Sequence, residues 1–307
     1  MTVLLMLVGC ALDWRLGEPA LRWHPLVAFG RLVDRVEALL LRPAQGPWRQ
    51  TLAGFLGWLL LVAPWTLLAA LLLRWPALYL PASVLGLYWA LGFRSLHEHA
   101  QPVIAALKSG NETMARDRAS LIVSRDASQM NIEASTIESI LENGLDAVFG
   151  ALFWFVVAGL PGVVLYRLAN TLDARWGYRT PRYRYFGWCA ARIDDLLNWV
   201  PARLTALSYA LLGSTGTALR CWRQQAPGCE SPNGGPVMAS GAGALELRLG
   251  GPACYHGILK AKPWLGNGAA PQAEDIERAL KLVRNALLLW LSVGLVLAGY
   301  MTWSTHA

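Results

Sequence analysis

The chain has 307 residues, of which 55% are hydrophobic and only 15% are charged. An average soluble domain carries about a quarter charged residues, so this composition excludes an ordinary soluble protein and indicates a membrane protein. The net charge is +7, but no basic stripe with interleaved aromatic residues occurs, which argues against a nucleic-acid-binding protein.

Five cysteines are present, and no two of them form a C-x-x-C pair. An odd number of cysteines at these spacings predicts neither a disulfide framework nor a zinc site, so we expect reduced thiols. The 15 tryptophans are typical of chains whose aromatic rings lie at membrane–water interfaces.

Apolar runs near the amino terminus predict the first three membrane segments. Residues 1–13 are apolar and lack a small-residue cleavage site, so they are interpreted as a retained segment rather than a signal peptide. Residues 51–73 contain no charged residue and are long enough to cross a bilayer. After a tight turn at 74–76, residues 77–93 run back and complete a helical hairpin.

Basic residues set the expected orientation of this hairpin. Arg is frequent before residue 51 and after residue 93, whereas the turn carries only Arg74. The positive-inside rule therefore predicts that residues 14–50 and 94–144 lie in the cytoplasm, next to anionic lipid. Apolar residues recur at helical spacing in 94–144, which predicts helices outside the bilayer.

The next apolar stretch, residues 145–168, leaves two topologies open because Gly159-Leu160-Pro161-Gly162 interrupts it. Either it crosses the bilayer and residues 204–219 cross back, or it is a re-entrant or protein-buried helix pair. Broken backbone at membrane depth must be covered by protein or line a cavity. Residues 220–275 are rich in Gly and Pro and are expected to be loop-dominated, and 286–303 predict the last span.

These patterns predict an all-α, polytopic integral membrane protein with about four or five membrane segments. Its catalytic face is expected to be cytoplasmic and built of helices and loops. A single domain over residues 1–307 is expected, because no internal repeat and no block of low complexity occurs. Three groups of polar residues are candidates for chemistry.

The first group is acidic. Glu138 and Glu142 are four residues apart in a predicted helix and share a face, and Asp146 lies near the same stripe. Carboxylates at this spacing repel each other unless a cation lies between them, and Mg²⁺ commonly binds through one or two carboxylates plus substrate phosphate. A solvated acidic face, or pairing with Arg, would explain the same pattern.

The second group lies between residues 170 and 203, where Asp, Asn and Arg are dense between two apolar segments. Charged groups beside a membrane are costly and therefore indicate a functional site. An internal salt-bridge network that holds helices in register would use the same residue types. The group comprises Asn170, Asp173, Arg179, Arg192, Asp194, Asp195, Asn198 and Arg203.

The third group consists of Gly-rich loops at 231–235 and 249–252 and a Lys-containing turn at 260–263. Glycines let backbone N–H groups approach phosphate oxygens, and a Lys adds a point charge. The pattern is weak by itself because most Gly-Pro loops are only turns, and no G-x-x-x-x-G-K-[ST] motif occurs.

Taken in chain order, these motifs and their neighbours resemble the CobD/CbiB family along nearly the whole chain. The run from residue 186 to residue 204 is the most specific part of the resemblance. The matching stretches are Asp13-Trp14-Arg15-Leu16-Gly17-Glu18-Pro19, His24-Pro25, Ser124-Arg125-Asp126, Thr136-Ile137-Glu138-Ser139, Asn170-Thr171-Leu172-Asp173, Phe186-Gly187-Trp188, Arg192-Ile193-Asp194-Asp195, Pro201-Ala202-Arg203-Leu204, Ser231-Pro232-Asn233 and Arg248-Leu249-Gly250-Gly251-Pro252.

The resemblance implies an enzyme of corrinoid (vitamin B12) biosynthesis in the bacterial cytoplasmic membrane. Such an enzyme joins (R)-1-amino-2-propanol, or its O-phosphate, to a propionate carboxylate of adenosylcobyric acid and forms adenosylcobinamide or its phosphate. ATP and Mg²⁺ are implied, because a carboxylate and an amine do not condense unaided in neutral water. Expected partners are the lipid bilayer and other membrane enzymes of cobalamin assembly.

On the same basis we expect roles for individual residues. The expected catalytic residues are Asp173, Arg192, Asp194 and Asp195. Substrate or phosphate contacts are expected from Arg125, Asn170, Arg203, Asn233, Gly250, Gly251 and Lys262. The expected metal ligands are Glu138, Glu142 and Asp146.

One motif departs from the family pattern, and two other functions stay open. After Asn233 the family continues through a Trp-Pro-Glu-like stretch, whereas this chain has Gly234-Gly235-Pro236-Val237-Met238. The role of the missing acid is either unfilled in this chain or taken by Glu230 or Glu246. A non-enzymatic AmpE-like signalling protein would not need the polar motifs of residues 170–203. A transporter would need more convincing spans than this chain offers.

Overall fold

The computed structural model describes residues 1–19, 24–123, 130–255 and 258–306. Over these residues the chain is mainly α-helical, so the predicted all-α class is confirmed. The helices are α1 (Thr2–Leu16), α2 (Pro25–Leu40), α3 (Pro47–Leu72), α4 (Pro76–Ala90), α5 (Phe93–Lys108), α6 (Glu112–Ala119), α7 (Ile132–Gly144), α8 (Gly150–Trp176), α9 (Trp188–Leu211), α10 (Thr215–Gln225), α11 (Gly234–Leu245) and α12 (Ala273–His306).

Shorter elements complete the secondary structure. A π-helical turn, Leu145–Phe149, joins α7 to α8, and a 3₁₀ turn, Ala226–Gly228, follows α10. The strands are β1 (Leu249–Gly250), β2 (Ala253–Tyr255), β3 (Ile258–Lys260) and β4 (Trp264–Leu265). They form two antiparallel pairs, β1 with β4 and β2 with β3.

Local sequence signals explain where several helices begin. Pro at the first helical position starts α2, α3 and α4, where its missing N–H costs no hydrogen bond. His24 caps α2, because its Nδ1 accepts a hydrogen bond from the Leu26 N–H at 3.2 Å. Asn131 caps α7 in the same way, accepting the Ala134 N–H at 2.7 Å.

Four helical stretches in the described residues are long and apolar enough to cross a membrane: Pro47–Leu72, Pro76–Lys108, Ile132–Trp176 and Ala273–Ser304. They contain the predicted segments around 51–73, 77–93, 145–168 and 286–303, so the polytopic membrane class is confirmed.

The two remaining predicted segments are not among these four. Residues 1–13 lie in α1, which has 15 residues. Residues 204–219 do not form one helix, because the chain leaves the helical conformation between α9 and α10 at residues 212–214.

The chain folds as two compact units, and the first comprises residues 1–92 and 150–198. In this unit α3 and α4 pack against α8, and α1 packs against α4. The Tyr88 hydroxyl donates a hydrogen bond to the Gly17 carbonyl at 2.7 Å and fastens α4 to the end of α1. Trp176 is fully buried and contacts Phe186 edge to face, with 4.8 Å between the ring centroids.

The predicted interruption in the apolar stretch 145–168 is confirmed inside α8. Gly159 has φ 61° and ψ −145°, a conformation that is essentially restricted to glycine. Helical geometry resumes at Leu160 and continues to Trp176, so α8 consists of two helical parts joined by a kink at Gly159. Pro161 lies just after the bend, where the interrupted hydrogen-bond pattern accommodates its ring.

The second unit comprises residues 93–149 and 199–307. In it α12 packs against α5 and α7, and α10 packs against α11. Two hydrogen bonds connect α9 to this core: the buried Tyr209 hydroxyl donates to the Leu141 carbonyl at 3.2 Å, and the partly buried Trp290 Nε1 donates to Ser208 Oγ at 2.9 Å. Phe149 contacts the Trp290 ring, with 5.1 Å between centroids.

The expectation that residues 220–275 are loop-dominated was wrong for Gly234–Leu245. This segment is the helix α11, and all of its residues except the half-buried Met238 are buried. Its glycines mark close helix packing: a Cβ at Gly241 would lie 2.7 Å from Leu141, and one at Gly243 would lie 2.7 Å from the Ala218 backbone. Small residues that let helices approach closely have the same composition as a flexible loop, which explains the wrong prediction.

Candidate functional site

The acidic face of α7 is the starting point of a polar cluster in the second unit. Glu138 and Glu142 lie one helical turn apart, as their spacing predicts. Glu138 is only 4% exposed, and its Oε1 accepts the Gly250 N–H at 2.7 Å. The helix thereby contacts Gly250 of β1, which is 112 residues away from Glu138 in the sequence.

The loop before α11 lies against the second of these carboxylates. A Cβ at Gly234 would be 2.5 Å from Glu142 Oε1, so the absence of a side chain lets this carboxylate approach the loop. The Ser231 hydroxyl accepts the N–H groups of Asn233 and Gly234 at 3.3 and 2.9 Å and closes the loop into a tight turn. Gly234 therefore lies directly against the Glu142 carboxylate.

Arg203 of α9 organises the same loop from the other side. Its guanidinium donates to Asn233 Oδ1 at 2.6 Å and to the Pro232 carbonyl at 3.1 Å. It also lies over the Trp199 ring, 4.7 Å from the centroid. Partial burial lowers the pKa of Arg203, although a guanidinium stays charged at any physiological pH. The structure thus brings together two predicted site residues, Arg203 and Asn233.

Electrostatics place Lys262 in this neighbourhood as well. Burial raises the pKa of the Cys229 thiol; the Lys262 ammonium opposes this rise, whereas the carboxylates of Glu138 and Glu142 add to it. All three charged groups therefore act on one thiol. We call the set Glu138, Glu142, Arg203, Asn233, Gly250 and Lys262 the carboxylate cluster.

Gly250, the last residue of β1, and Gly251, which follows it, have a backbone conformation that favours glycine. Gly250 and Gly251 have φ values of 74° and 82°, in the left-handed region that favours glycine. A Cβ at Gly251 would lie 2.6 Å from the Trp264 ring, so a larger residue is excluded at this position. Both backbone N–H groups of the pair are engaged within the chain: that of Gly250 donates to Glu138 Oε1 at 2.7 Å, and that of Gly251 donates to the Pro263 carbonyl at 3.0 Å.

The carboxylate cluster offers a metal ion two acidic side chains, those of Glu138 and Glu142. Among the described residues, no three His, Cys, Asp or Glu side chains gather as a ready-made metal cage. Mg²⁺ typically binds through one or two carboxylates plus substrate phosphate and water, and Glu138 and Glu142 offer two. Asp146 lies in the π-helical turn, half-buried, and joins no such group of three.

A second polar cluster lies in the first unit, around a buried carboxylate. Asp194 is 8% exposed and accepts hydrogen bonds from Asn198 Nδ2 at 3.0 Å and from Asn170 Nδ2 at 3.4 Å. The Tyr166 hydroxyl in turn donates to Asn198 Oδ1 at 2.9 Å. We call Tyr166, Asn170, Asp194 and Asn198 the Asp194 cluster. Burial, opposed by the two amides, raises the pKa of Asp194 to about 6.

The remaining predicted residues of this unit lie at its polar surface. Arg192 pairs with Asp195 at 3.5 Å, and burial raises the pKa of the Asp195 carboxyl against the opposing effect of Arg192 and Arg179. Asp173 lies in the last turn of α8, where its carbonyl accepts the Gly177 N–H at 2.7 Å. The predicted substrate residue Arg125 lies outside the described residues.

The structure also contains one buried acidic centre that the sequence analysis missed. Glu37 of α2 accepts hydrogen bonds from Trp176 Nε1 at 3.0 Å, Arg182 at 2.7 Å and the Tyr183 hydroxyl at 3.0 Å. A signal existed, because Glu37 follows Phe29 and Val33 at helical spacing and so lies on the apolar face of an amphipathic helix. Tyr166 was missed as well, because an aromatic residue in an apolar stretch has no distinguishing pattern.

Comparison with known proteins assigns the family. The model for the family described as CobD/Cbib protein matches residues 6–283. The chain is 57% identical to the cobalamin biosynthesis protein CobD of Stutzerimonas stutzeri over 305 residues, which cover 98% of this chain and 99% of the relative. The protein of the same name from Chromobacterium violaceum is 53% identical, covering 97% of each chain.

More distant relatives agree. The cobalamin biosynthesis protein CobD of Mycobacterium tuberculosis strain H37Rv is 38% identical over 289 residues, which cover 91% of this chain and 90% of the relative. No solved structure matches the chain. The range that the family model matches contains the residues of the carboxylate cluster and of the Asp194 cluster. The chain belongs to the CobD/CbiB family.

Proposed function

We propose that this membrane enzyme of cobalamin biosynthesis is an ATP- and Mg²⁺-dependent amide ligase. It joins (R)-1-amino-2-propanol, or its O-phosphate, to a propionate carboxylate of adenosylcobyric acid, giving adenosylcobinamide or its phosphate. The observation that carries the proposal is the carboxylate cluster. Two acidic side chains, an Arg, a Lys and a glycine turn form one polar neighbourhood, the set of groups that phosphoryl chemistry with Mg²⁺ requires.

In this proposal the acidic side chains of the cluster bind the metal ion and the basic side chains bind phosphate groups. Glu138 and Glu142 would hold Mg²⁺ through their carboxylate oxygens. Arg203 and Lys262 would neutralise the phosphate groups of the ligands, the first as a fork and the second as a point charge. With Mg²⁺ bound, ATP would convert the propionate carboxylate to an acyl phosphate with release of ADP, and attack of the amine on the acyl carbon would form the C–N bond and release phosphate.

Formation of the C–N bond also releases a proton from the attacking amine. Asp194 of the first unit is proposed as a general acid–base residue, because a carboxyl whose pKa is raised toward neutrality is better matched to this chemistry than an ordinary surface Asp. Asn170 and Asn198 hold the two oxygens of this carboxylate in place. The polar surface that carries Arg192 and Asp195 is proposed to face the cytoplasm, where ATP and the soluble substrates are found.

A ligation assay tests the proposal. Detergent-purified protein is supplied with adenosylcobyric acid, ATP and Mg²⁺ and either the free or the phosphorylated amine, and the amide product is detected by mass. We expect product that requires both ATP and Mg²⁺. Absence of product with both amines, from protein that retains its thermal unfolding transition, would refute the ligase assignment.

A matched pair of variants on α7 tests the metal role. Glu138→Gln keeps the shape and the hydrogen bond to Gly250 but removes the negative charge, so the Mg²⁺ concentration for half-maximal activity should rise at least roughly tenfold. Glu133→Gln, in the first turn of the same helix, is the control and should leave the Mg²⁺ dependence unchanged. Equal Mg²⁺ titration curves for the two variants would remove Glu138 from the metal site.

A further inference from the structure

The carboxylate of Glu37 belongs to neither polar cluster, and it binds the connection between α8 and α9, residues 177–187. A buried carboxylate is costly unless it is paired, and this side chain is only 10% exposed. Its Oε2 accepts the Trp176 Nε1–H at 3.0 Å, and its Oε1 accepts hydrogen bonds from Arg182 Nη2 at 2.7 Å and from the Tyr183 hydroxyl at 3.0 Å. Trp176 ends α8, whereas Arg182 and Tyr183 lie in the middle of the connection, so one side chain of α2 fastens both.

Close backbone packing holds the two ends of this connection. No Cβ fits at Gly187, because it would collide with the Trp176 carbonyl oxygen, so the start of α9 lies against the end of α8. No Cβ fits at Gly54 of α3 either, because it would collide with the Phe186 carbonyl oxygen. The ends are therefore set by backbone contacts, and Glu37 holds the stretch between them. All of these residues belong to the first unit.

The connection carries Arg179 to the first turns of α9. Arg179 is exposed, and Arg192 Nη1 lies 3.5 Å from the Asp195 carboxylate. Burial raises the pKa of Asp195, and the positive charges of Arg192 and Arg179 oppose this rise, so both guanidinium groups lie near one carboxylate. Guanidinium groups bind carboxylates and phosphates, which are the anionic groups of the substrates in the proposed function. The position of Arg179 therefore depends on the connection, and that of the connection depends on Glu37.

We propose that Glu37 is a positioning residue of the ligase and acts through Arg179. It holds the α8–α9 connection so that the Arg179 guanidinium lies beside Arg192, where the two bind an anionic group of a substrate. This role rests on the proposed function. The three donors require a carboxylate, because a glutamine would turn its N–H groups toward one of them. Glu37 itself is buried and acts only by holding the connection.

A double-mutant cycle on kcat/KM tests the proposal in detergent-purified, full-length protein. Arg179→Gln removes one charged contact and should lower kcat/KM roughly tenfold. Glu37→Gln should lower it roughly fivefold, because a displaced guanidinium keeps part of its attraction for the substrate. The double variant should be no worse than Arg179→Gln alone, since Glu37 then has nothing left to position. A general loss of stability would instead lower the active fraction in either background, and the two losses would multiply.

Hydrogen exchange reports on the connection without an activity assay. In Glu37→Gln the backbone amides of residues 177–187 should exchange about tenfold faster than in wild type, because this stretch opens more often. Asp34→Asn is the matched control, since Asp34 lies on the same helix, is 58% exposed and pairs with Arg175 of α8 rather than with the connection. It should change neither the exchange of residues 177–187 nor kcat/KM.

Three results would overturn the proposal. Unchanged exchange in Glu37→Gln would show that Glu37 does not hold the connection. Losses that multiply in the double variant would show that Glu37 does not act through Arg179. Absence of ligation by folded wild type would refute the proposed function and this role with it, whereas the first two results leave the ligase assignment intact. If Glu37→Gln does not fold, Arg182→Gln removes the same contact from the exposed side of the connection and carries the same expectations.

Discussion

Buried carboxylates occur in both units, and their hydrogen-bond donors differ. Glu138 accepts a hydrogen bond from a backbone N–H. Glu37 accepts hydrogen bonds from an indole N–H, a guanidinium and a phenolic hydroxyl, and Asp194 accepts them from two side-chain amides. A neutral amide stabilises a neighbouring carboxylate less than a cationic side chain does. Burial therefore dominates at Asp194 and raises its pKa to about 6. This difference makes Asp194 the carboxylate best suited to gain and lose a proton near neutral pH.

Because the pKa of Asp194 is raised in the folded chain, the free energy of unfolding depends on pH. In the unfolded chain the carboxyl releases its proton near its ordinary value of 3.8, whereas in the folded chain it keeps the proton up to about pH 6. The folded state therefore binds more protons between these values, and the free energy of unfolding falls as pH rises through this interval and stays lower above it.

We expect Asp194→Asn to separate activity from stability. The variant cannot accept a proton, so ligation should fall by about 100-fold or more. It also has no buried charge, so its Tm should exceed that of wild type by more at pH 8 than at pH 4.5. Ligation assays and thermal unfolding in detergent at the two pH values measure both effects.

Asp117→Asn is the matched control, because Asp117 is exposed on α6. It should change neither ligation nor the pH dependence of Tm. A Tm difference between Asp194→Asn and wild type that is the same at both pH values would contradict the assignment of a raised pKa to Asp194.

At the scale of elements, glycine has two different physical roles in this chain. In α11 it removes side-chain volume, so that the helix packs closely against Leu141 and the Ala218 backbone. In α8 it supplies a backbone conformation, because the φ of 61° at Gly159 bends the helix. A Cβ at Gly159 would meet no atom within 4 Å, so conformation alone decides what a substitution does there.

This distinction predicts opposite results for two substitutions that both point into open space. Gly159→Ala should destabilise the protein by about 1–3 kcal/mol, because Ala does not tolerate this backbone conformation. Gly299→Ala, at a helical position of α12 with no neighbour within 4 Å, should be neutral or stabilise by up to about 1 kcal/mol. Thermal unfolding of the two purified variants provides the comparison, and equal Tm values would mean that the bend at Gly159 is not strained for Ala.

At the scale of the whole molecule, the distribution of Arg predicts the orientation of the spans. The turn at Arg74 between α3 and α4 should lie outside the cytoplasm, and Arg118 of α6 should lie inside it. Both residues are exposed and can be replaced by Cys for labelling.

The labelling experiment uses a chain in which the five native cysteines are replaced by Ser. In intact cells, a membrane-impermeant maleimide should label Arg74→Cys, whereas Arg118→Cys should be labelled only after permeabilisation. Labelling of Arg118→Cys in intact cells would invert the topology and would place the proposed catalytic face away from cytoplasmic ATP.

The sequence by itself determined the properties that depend on local composition and spacing. Uncharged apolar runs predicted the spanning helices, because each backbone polar group in a bilayer must bond within its own helix. The i, i+4 spacing placed Glu138 and Glu142 on one face, and the run Gly159-Leu160-Pro161-Gly162 predicted the interruption in α8. The family resemblance, now confirmed, rests on the same kind of short ordered motif.

Only the tertiary structure decided which of these local features meet. The contact of Glu138 with Gly250 spans 112 residues, and that of Arg203 with Asn233 spans 30, so neither follows from helical periodicity. The burial of Asp194 and the support from Tyr166 depend in the same way on how α8 and α9 pack. The glycines of α11 did not distinguish a loop from a helix in the sequence, because small residues are common both in flexible loops and in tightly packed helices. Only the neighbouring residues in the structure showed that this segment is a packed helix.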